Sequence, residues 1–373
     1  MSLRCLSIIL PLSLPSLGSA LQLLSTLKDM TPLLEYLDVR GPFHGANAVF
    51  RAASSLPNLD TFYTEEFAIP KSSLFLLAPL DRLRRLSLVL DIDTQLIDPT
   101  AHNAPAFHSL EVIHLDTTAP SYATVFILKF LTGSPVREFT LKSTHSFNQE
   151  DVTHLTSAMT QAFSRDAMTT IRVWCSETAG APLGGLPHLL DVGALRKLFV
   201  FHHLKVFTFN VPMLYGAVDD ELIGELSARW PALRELSLVP TGRTPCPTIG
   251  LTLEGLLHFT NNRHLTRLDL QFNGSNCNRW PDLPPAGGSP CPSLRHLDVH
   301  ASTFNMQDLE IVAGLMSDLF PNLEDGIKFL KPSIEAHTAF GRASLWPSVS
   351  YLYHAFVNIR RQERFAMTRA APS

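Results

Sequence analysis

The side chains that could do chemistry in this sequence are scattered. Asp91-Ile92-Asp93 sets two carboxylates two residues apart, the beginning of a hard-cation site, but it follows an apolar strand pattern where acidic loop residues are ordinary. His202-His203 is a neighbouring pair ahead of a strand pattern; adjacent strand residues point to opposite faces, which is poor geometry for one metal. Five cysteines (Cys5, Cys175, Cys246, Cys277, Cys291) form no C-x-x-C pair, so a reduced intracellular chain is the simpler expectation. Cys277 and Cys291 share one Gly/Pro-rich stretch; they would join only in an oxidising compartment, and are expected as free loop thiols. No phosphate loop, dinucleotide fingerprint, H-E-x-x-H or G-x-S-x-G occurs. The sequence therefore predicts no catalytic, cofactor-binding or metal-ligating residue, no cofactor, and no enzyme. A net charge of −4 gives no global field toward nucleic acid or an anionic membrane, and no long clean apolar run predicts a membrane span.

What remains is a surface, and one stretch shows what builds it. Leu265 to Asn273 (L-T-R-L-D-L-Q-F-N) fits L-x-x-L-x-L-x-x-N/C at every fixed position. Weaker copies begin at Leu3, Leu34, Leu59, Leu83, Leu110, Val136, Ile171, Leu204, Leu233 and Leu294, with a degenerate one at Leu323. Their spacings of 24 to 35 residues leave room for a strand, two loops and a helix. Alternation within each copy means a short strand with one face buried. The fold class expected is an α/β leucine-rich-repeat solenoid, a horseshoe with a parallel concave sheet and convex helices.

The residue after each first leucine-type position is an independent check. It is Arg4, Glu35, Asp60, Arg84, Glu111, Arg137, Arg172, Lys205, Arg234, Thr266, Arg295 and Glu324: all charged but one, in a chain with 17% charged residues. A repeated solvent-facing position would produce that column. Between the leucines, the outward strand positions are the candidates for partner contact. The sequence singles out Tyr63, Arg85, His114, Asp116, Lys142, Arg267, Asp269, Gln271, His296, Asp298 and His300. Cys175 and Glu177 fall in the same two columns in this register. Leu268 is scaffold, so Leu268→Asp is expected to unfold its neighbours while Asp269→Ala leaves stability nearly unchanged.

Helical patterns alternate with the strands. Asp219 to Trp230, Asn305 to Phe320 and Asn148 to Phe163 each present one apolar face; Thr252 to Phe259, Ala20 to Leu27 and Thr124 to Leu131 are shorter. Thr94 to Pro105, Ser176 to Pro187 and Gly274 to Pro292 interrupt the array as loops, which in such arrays fall on one rim. The repeat is expected to span residues 1–330, with 331–373 forming a C-terminal capping helix and tail whose Arg360 to Arg364 end is a solvated face. Residues 1–20 carry two readings: a repeat strand in phase with the rest, or a signal-like apolar leader.

The Leu-Arg-x-Leu-x-Leu units at Leu83 to Leu88, Leu233 to Leu238 and Leu294 to Val299, with Trp346-Pro347-Ser348-Val349 through Arg364, resemble fungal F-box-like leucine-rich-repeat proteins. The resemblance implies a protein partner held by the repeats and, through an F-box, a ubiquitin-ligase adaptor. No F-box is found, so the expectation is either an F-box upstream of Met1 or a repeat protein without ligase coupling. An intracellular (cytoplasmic or nuclear) substrate-recognition scaffold is the leading expectation. A secreted or surface recognition protein is the alternative, carried by the leader reading and the Asn273-Gly274-Ser275 sequon.

Overall fold

The computed structural model describes residues 3–10, 14–41, 46–68, 71–90, 107–176, 189–213, 215–240, 249–275, 290–329 and 345–370. Asp91-Ile92-Asp93, Glu177, Cys246, Cys277 and most of the three loop segments lie outside them. The chain divides into two compact units, Met1–His203 and Leu204–Ser373.

In the first unit, strands and helices alternate as predicted. β1 (Cys5–Ile9), β2 (Tyr36–Arg40), β3 (Thr61–Ala68), β4 (Arg85–Leu90), β5 (Val112–Thr117), β6 (Glu138–Ser143) and β7 (Thr170–Cys175) each pair in parallel with the next. Helices α1 (Leu14–Met30), α2 (Ala46–Ser54), α3 (Lys71–Leu77), α4 (Pro120–Phe130), α5 (Gln149–Ala162) and α6 (Val192–Lys197) intervene. Parallel neighbours require such crossovers, because a tight turn would reverse the chain. The stretch at Leu3 is therefore a repeat strand, with α1 following it.

The fourth repeat position is the core of each layer. Leu37, Phe62, Leu86, Ile113, Phe139 and Ile171 are at most 1% exposed. Each such burial contributes about 1.5–3 kcal/mol. Aromatic side chains fill the helix side: Phe126 and Phe130 of α4 lie 5.4 Å apart, with Phe107 6.3 Å from Phe130. α5 begins with a reciprocal cap, in which Asn148 Oδ1 accepts from the Asp151 N–H at 2.8 Å and Asp151 Oδ2 accepts from the Asn148 N–H at 3.1 Å.

The second unit repeats the design with β8 (Val206–Asn210), β9 (Glu235–Leu238), β10 (Arg267–Leu270), β11 (His296–Asp298) and β12 (Ile327–Lys328), again parallel in sequence order. α7 (Asp220–Arg229) starts where Asp219 Oδ1 accepts from the Leu222 N–H at 2.9 Å. The short helix expected near Thr252 is a 3-10 helix, Glu254–Asn261. α8 (Leu309–Leu319) and α9 (Trp346–Ala370) pack together near the C-terminus. Tyr353 of α9 donates its hydroxyl to the Phe320 carbonyl at 2.7 Å and accepts from the Leu323 N–H at 3.2 Å. Trp346 donates to the Ser302 carbonyl at 2.8 Å. Arg360 was expected in solvent; its Nε instead lies 2.7 Å from Asp318 Oδ1, because α9 runs close enough to α8 for that pair to close. β12 holds one residue more than its neighbours between the Glu324 backbone link and Ile327, and Gly326 takes up the surplus at φ 70°.

The chain is thus an α/β leucine-rich-repeat solenoid: parallel strands in sequence order, alternating with helices, the leucine positions buried.

Candidate interaction face

Numbering each repeat from its first leucine, position two is fixed by the backbone. The N–H of each position-two residue donates to the position-two carbonyl of the preceding strand: Glu35 to Arg4, Asp60 to Glu35, Arg84 to Asp60 and Glu111 to Arg84, all at 2.8 Å. In the second unit Arg234 donates to Lys205 at 2.7 Å and Arg295 to Thr266 at 2.9 Å. This link stacks the charged column. In the first unit the basic members of the column pair with acidic neighbours: Arg4 with Glu35 at 3.0 Å, Arg84 with Asp60 at 3.8 Å, Arg137 with Glu111 at 3.9 Å. These exposed pairs add little to stability, but they neutralise that edge.

The register corrects one copy of the repeat. Ile171 pairs with Phe139, which is a fourth position, so Ile171 is itself fourth and Met168, fully buried, is first. The position-two residue is Thr169, not Arg172, and its N–H donates to the Arg137 carbonyl at 2.8 Å. The outward residues of β7 are Arg172 and Trp174, while Cys175 is buried and Glu177 lies outside the described residues. The shift hid in the sequence because Met168, Ile171 and Trp174 are apolar and spaced by three, so Ile171 can stand at position four behind Met168 or at position one ahead of Trp174. Both uncharged members of the column are then threonines, and both use the hydroxyl on the same carbonyl: Thr169 Oγ1 to Arg137 O at 3.1 Å, Thr266 Oγ1 to Arg234 O at 3.0 Å.

Positions five and seven face outward between the buried fourth and sixth. On the first unit the neighbours at position five are Ser7, Asp38, Tyr63, Ser87, His114, Thr140 and Arg172; at position seven Asp116, Lys142 and Trp174 follow one another. Of the residues singled out from sequence, Arg85, His114 and Asp116 are exposed here, and Tyr63 and Lys142 are half-buried. Lys142 Nζ lies 3.6 Å from Asp116 Oδ2. Although His114 keeps an exposed edge, partial desolvation against the neighbouring strands lowers its pKa, with Arg172 adding to the effect and Glu138 and Asp116 opposing it.

The most organised cluster was not on that shortlist as a group. Asp38 is almost wholly buried on the outward face. Ser7 Oγ donates to it at 3.0 Å, and Arg40 Nε stands 3.2 Å from each of its carboxylate oxygens. Arg40 also pairs with Glu65 at 3.3 Å, and its guanidinium carbon lies 5.6 Å from the centre of the Tyr63 ring. Tyr63 donates its hydroxyl to Glu65 Oε1 at 2.5 Å. Burial and that bond to a carboxylate raise the Tyr63 pKa to about 12. The hydrogen bond and charge of Asp38 raise the pKa of Arg40. The signal was present: Asp38, Arg40, Tyr63 and Glu65 occupy positions five and seven of consecutive repeats.

On the second unit, Arg267 is exposed and donates through Nε to Asp269 Oδ2 at 3.0 Å; Asp269 is only 7% exposed. The expectation that Asp269 stands free in solvent is therefore corrected: the guanidinium beside it covers it. Gln271, His296, Asp298 and His300 are half-buried. Gln271 donates to the Ala301 carbonyl at 3.3 Å, and the His300 N–H, at φ 47°, donates to Asp298 Oδ1 at 2.9 Å. His296 lies 3.8 to 3.9 Å from Asp325 and Glu324, and Lys328 holds the Asp325 pKa below its usual value. His202 and His203 sit in a turn, both exposed, so the opposite-faces argument for a strand does not apply to them. Cys291 is buried rather than in an open loop, and burial raises its thiol pKa. Among the described residues no group of three His, Cys, Asp or Glu side chains could hold a metal ion, and no helix is long and apolar enough to cross a membrane.

No protein-family model matches the chain, and no curated protein does. Among solved structures, the plant peptide hormone receptor RGFR1 in complex with RGF2 is similar at a TM-score of 0.35 and 14% identity. The match covers 88% of this chain and 48% of the receptor, so the chain spans about half the length of the structure it matches.

Proposed function

We propose that this chain is a protein-recognition scaffold and that it holds its partner on the outward face of the first unit, from Tyr63 to Trp174. One observation carries the reading: this face sets an aromatic and two basic side chains of the kind that dominate interface energetics (Trp174, Arg85, Arg172) on paired strands that cannot shift independently. Two carboxylates of the face, Glu65 and Asp116, are held in pairs with basic neighbours, an arrangement suited to orienting a surface rather than to proton transfer. The test is affinity capture with quantitative mass spectrometry, comparing wild type with Trp174→Ala and Arg85→Ala. A partner set lost from both variants at unchanged melting temperature supports the face; a set equal to wild type removes it.

The finer reading is that the bound protein is a ubiquitin-ligase substrate. Its support is the resemblance of the Leu83, Leu233 and Leu294 units and of the Trp346 tail to F-box-like repeat proteins. Co-purification of a ligase adaptor with the product of the full-length transcript tests it, and failure to recover an adaptor limits the protein to recognition alone.

A further inference from the structure

We propose that the second unit carries an anion-recognition rim at the N-terminal ends of its strands, and that the rim binds an acidic segment of a partner protein. This surface is distinct from the outward sheet face and does not depend on the reading given to it.

The column at position two behaves differently in the two units. In the first each basic member closes on an acidic neighbour in an ion pair. In the second two basic members stand side by side with no such partner among the described residues. Lys205 and Arg234 occupy adjacent strands, and the backbone bond of 2.7 Å between them locks the two positions about one strand spacing apart, roughly 4.8 Å. Arg263 stands in the turn before β10, and Arg295 immediately precedes β11. All four are exposed. Arg295 reaches Glu324 at 3.8 Å; Lys205, Arg234 and Arg263 make no ion pair among the described residues.

Like charges held on neighbouring strands oppose folding rather than support it. An anionic ligand reverses the sign of that contribution, because each carboxylate placed between two cations gains attraction from both. An extended peptide brings same-side residues about 6.6 Å apart, close enough to the strand spacing for two or three carboxylates to reach successive cations. A nucleic acid fits less well. β10 and β11, which follow Arg263 and Arg295, carry Asp269 and Asp298, which repel a long polyanion.

The experiment is fluorescence anisotropy of a fluorescein-labelled poly-glutamate peptide with the full chain at low salt. Saturable binding is expected, weakened by roughly tenfold or more in Lys205→Glu/Arg234→Glu and by raised salt. Arg84→Ala, on the self-paired rim of the first unit, should bind as wild type. Absence of binding to the folded wild type, or equal binding by the charge-reversed variant, overturns the proposal. Tighter binding of single-stranded DNA of equal charge, or of phosphatidylserine vesicles, overturns it in favour of that ligand. If the reversed variant does not fold, Lys205→Gln/Arg234→Gln carries the same comparison, with a smaller expected loss.

Discussion

Arg40 covers Asp38: its Nε lies 3.2 Å from both carboxylate oxygens, and Asp38 is left 3% exposed on the outward face of the sheet. A buried carboxylate is stable only while its partners remain. Asp38→Ala is expected to lower stability by about 1–3 kcal/mol through the lost charge-assisted bonds. Arg40→Ala should destabilise more than Arg4→Ala, because the Arg4–Glu35 pair is solvated on both sides. Combining Arg40→Ala with Asp38→Asn should recover much of the loss. Urea unfolding of the four variants measures this, and an additive double variant would contradict the coupling.

Tyr63 gives an alkaline prediction. Its pKa is raised to about 12 by burial and by the bond to Glu65, against about 10 in an unfolded chain. The neutral phenol is therefore favoured in the fold. Its contribution is complete below about pH 10 and is lost as pH rises through about 12. Absorbance at the tyrosinate band should show a late-ionising component that Tyr63→Phe removes.

His114 gives the acid counterpart. Partial desolvation lowers its pKa, so the neutral imidazole is the favoured folded form. Its contribution is present above the unfolded value of about 6.5 and is lost as pH falls through the lower folded value. His114→Gln should be less sensitive than wild type to acidification just below that range. Melting curves across pH 5 to 7 read the difference, and parallel curves for the two proteins would argue against it.

Leu268 and Asp269 test the two faces of one strand. Leu268 is fully buried, and Leu268→Asp should remove the cooperative unfolding of the second unit or lower its stability by about 3–5 kcal/mol. Asp269→Ala was expected from sequence to be neutral; the bond from Arg267 makes a loss of about 1 kcal/mol the better expectation. Thermal melts of both variants decide the ranking, and equal losses would mean the inward and outward assignments fail.

The leucine positions were legible because burial repeats at them with strand period: ten of the twelve starts read from sequence stand two residues ahead of a strand, and Leu323 stands four ahead of β12. The exception at Ile171 shows the limit: Met168, Ile171 and Trp174 are apolar at spacings of three, the spacing of positions one and four, and pairing with Phe139 decides between the two phases. The longer helices were legible, whereas Ala46–Ser54 and Lys71–Leu77 span only about two turns each, although Ala46, Val49, Phe50 and Ala53 share one buried face. The outward columns could be written down from sequence. Which of their members are covered, as Asp38 and Asp269 are, depends on where a neighbouring arginine folds over, and that is decided by side-chain geometry that residue types do not encode.

The backbone link at position two stays between 2.7 and 2.9 Å from strand to strand within each unit, although the repeats it joins differ widely in length. It therefore acts as a gauge for the stack. Length variation is absorbed on the return path from one strand to the next, and the short strand segment alone keeps the pitch. Inserting residues after the strand of any one repeat should leave its neighbours in step, while a single deletion between positions two and four would exchange the inward and outward residues of that one strand. The outward columns are for this reason a scale on which side chains can be exchanged strand by strand without renumbering the rest.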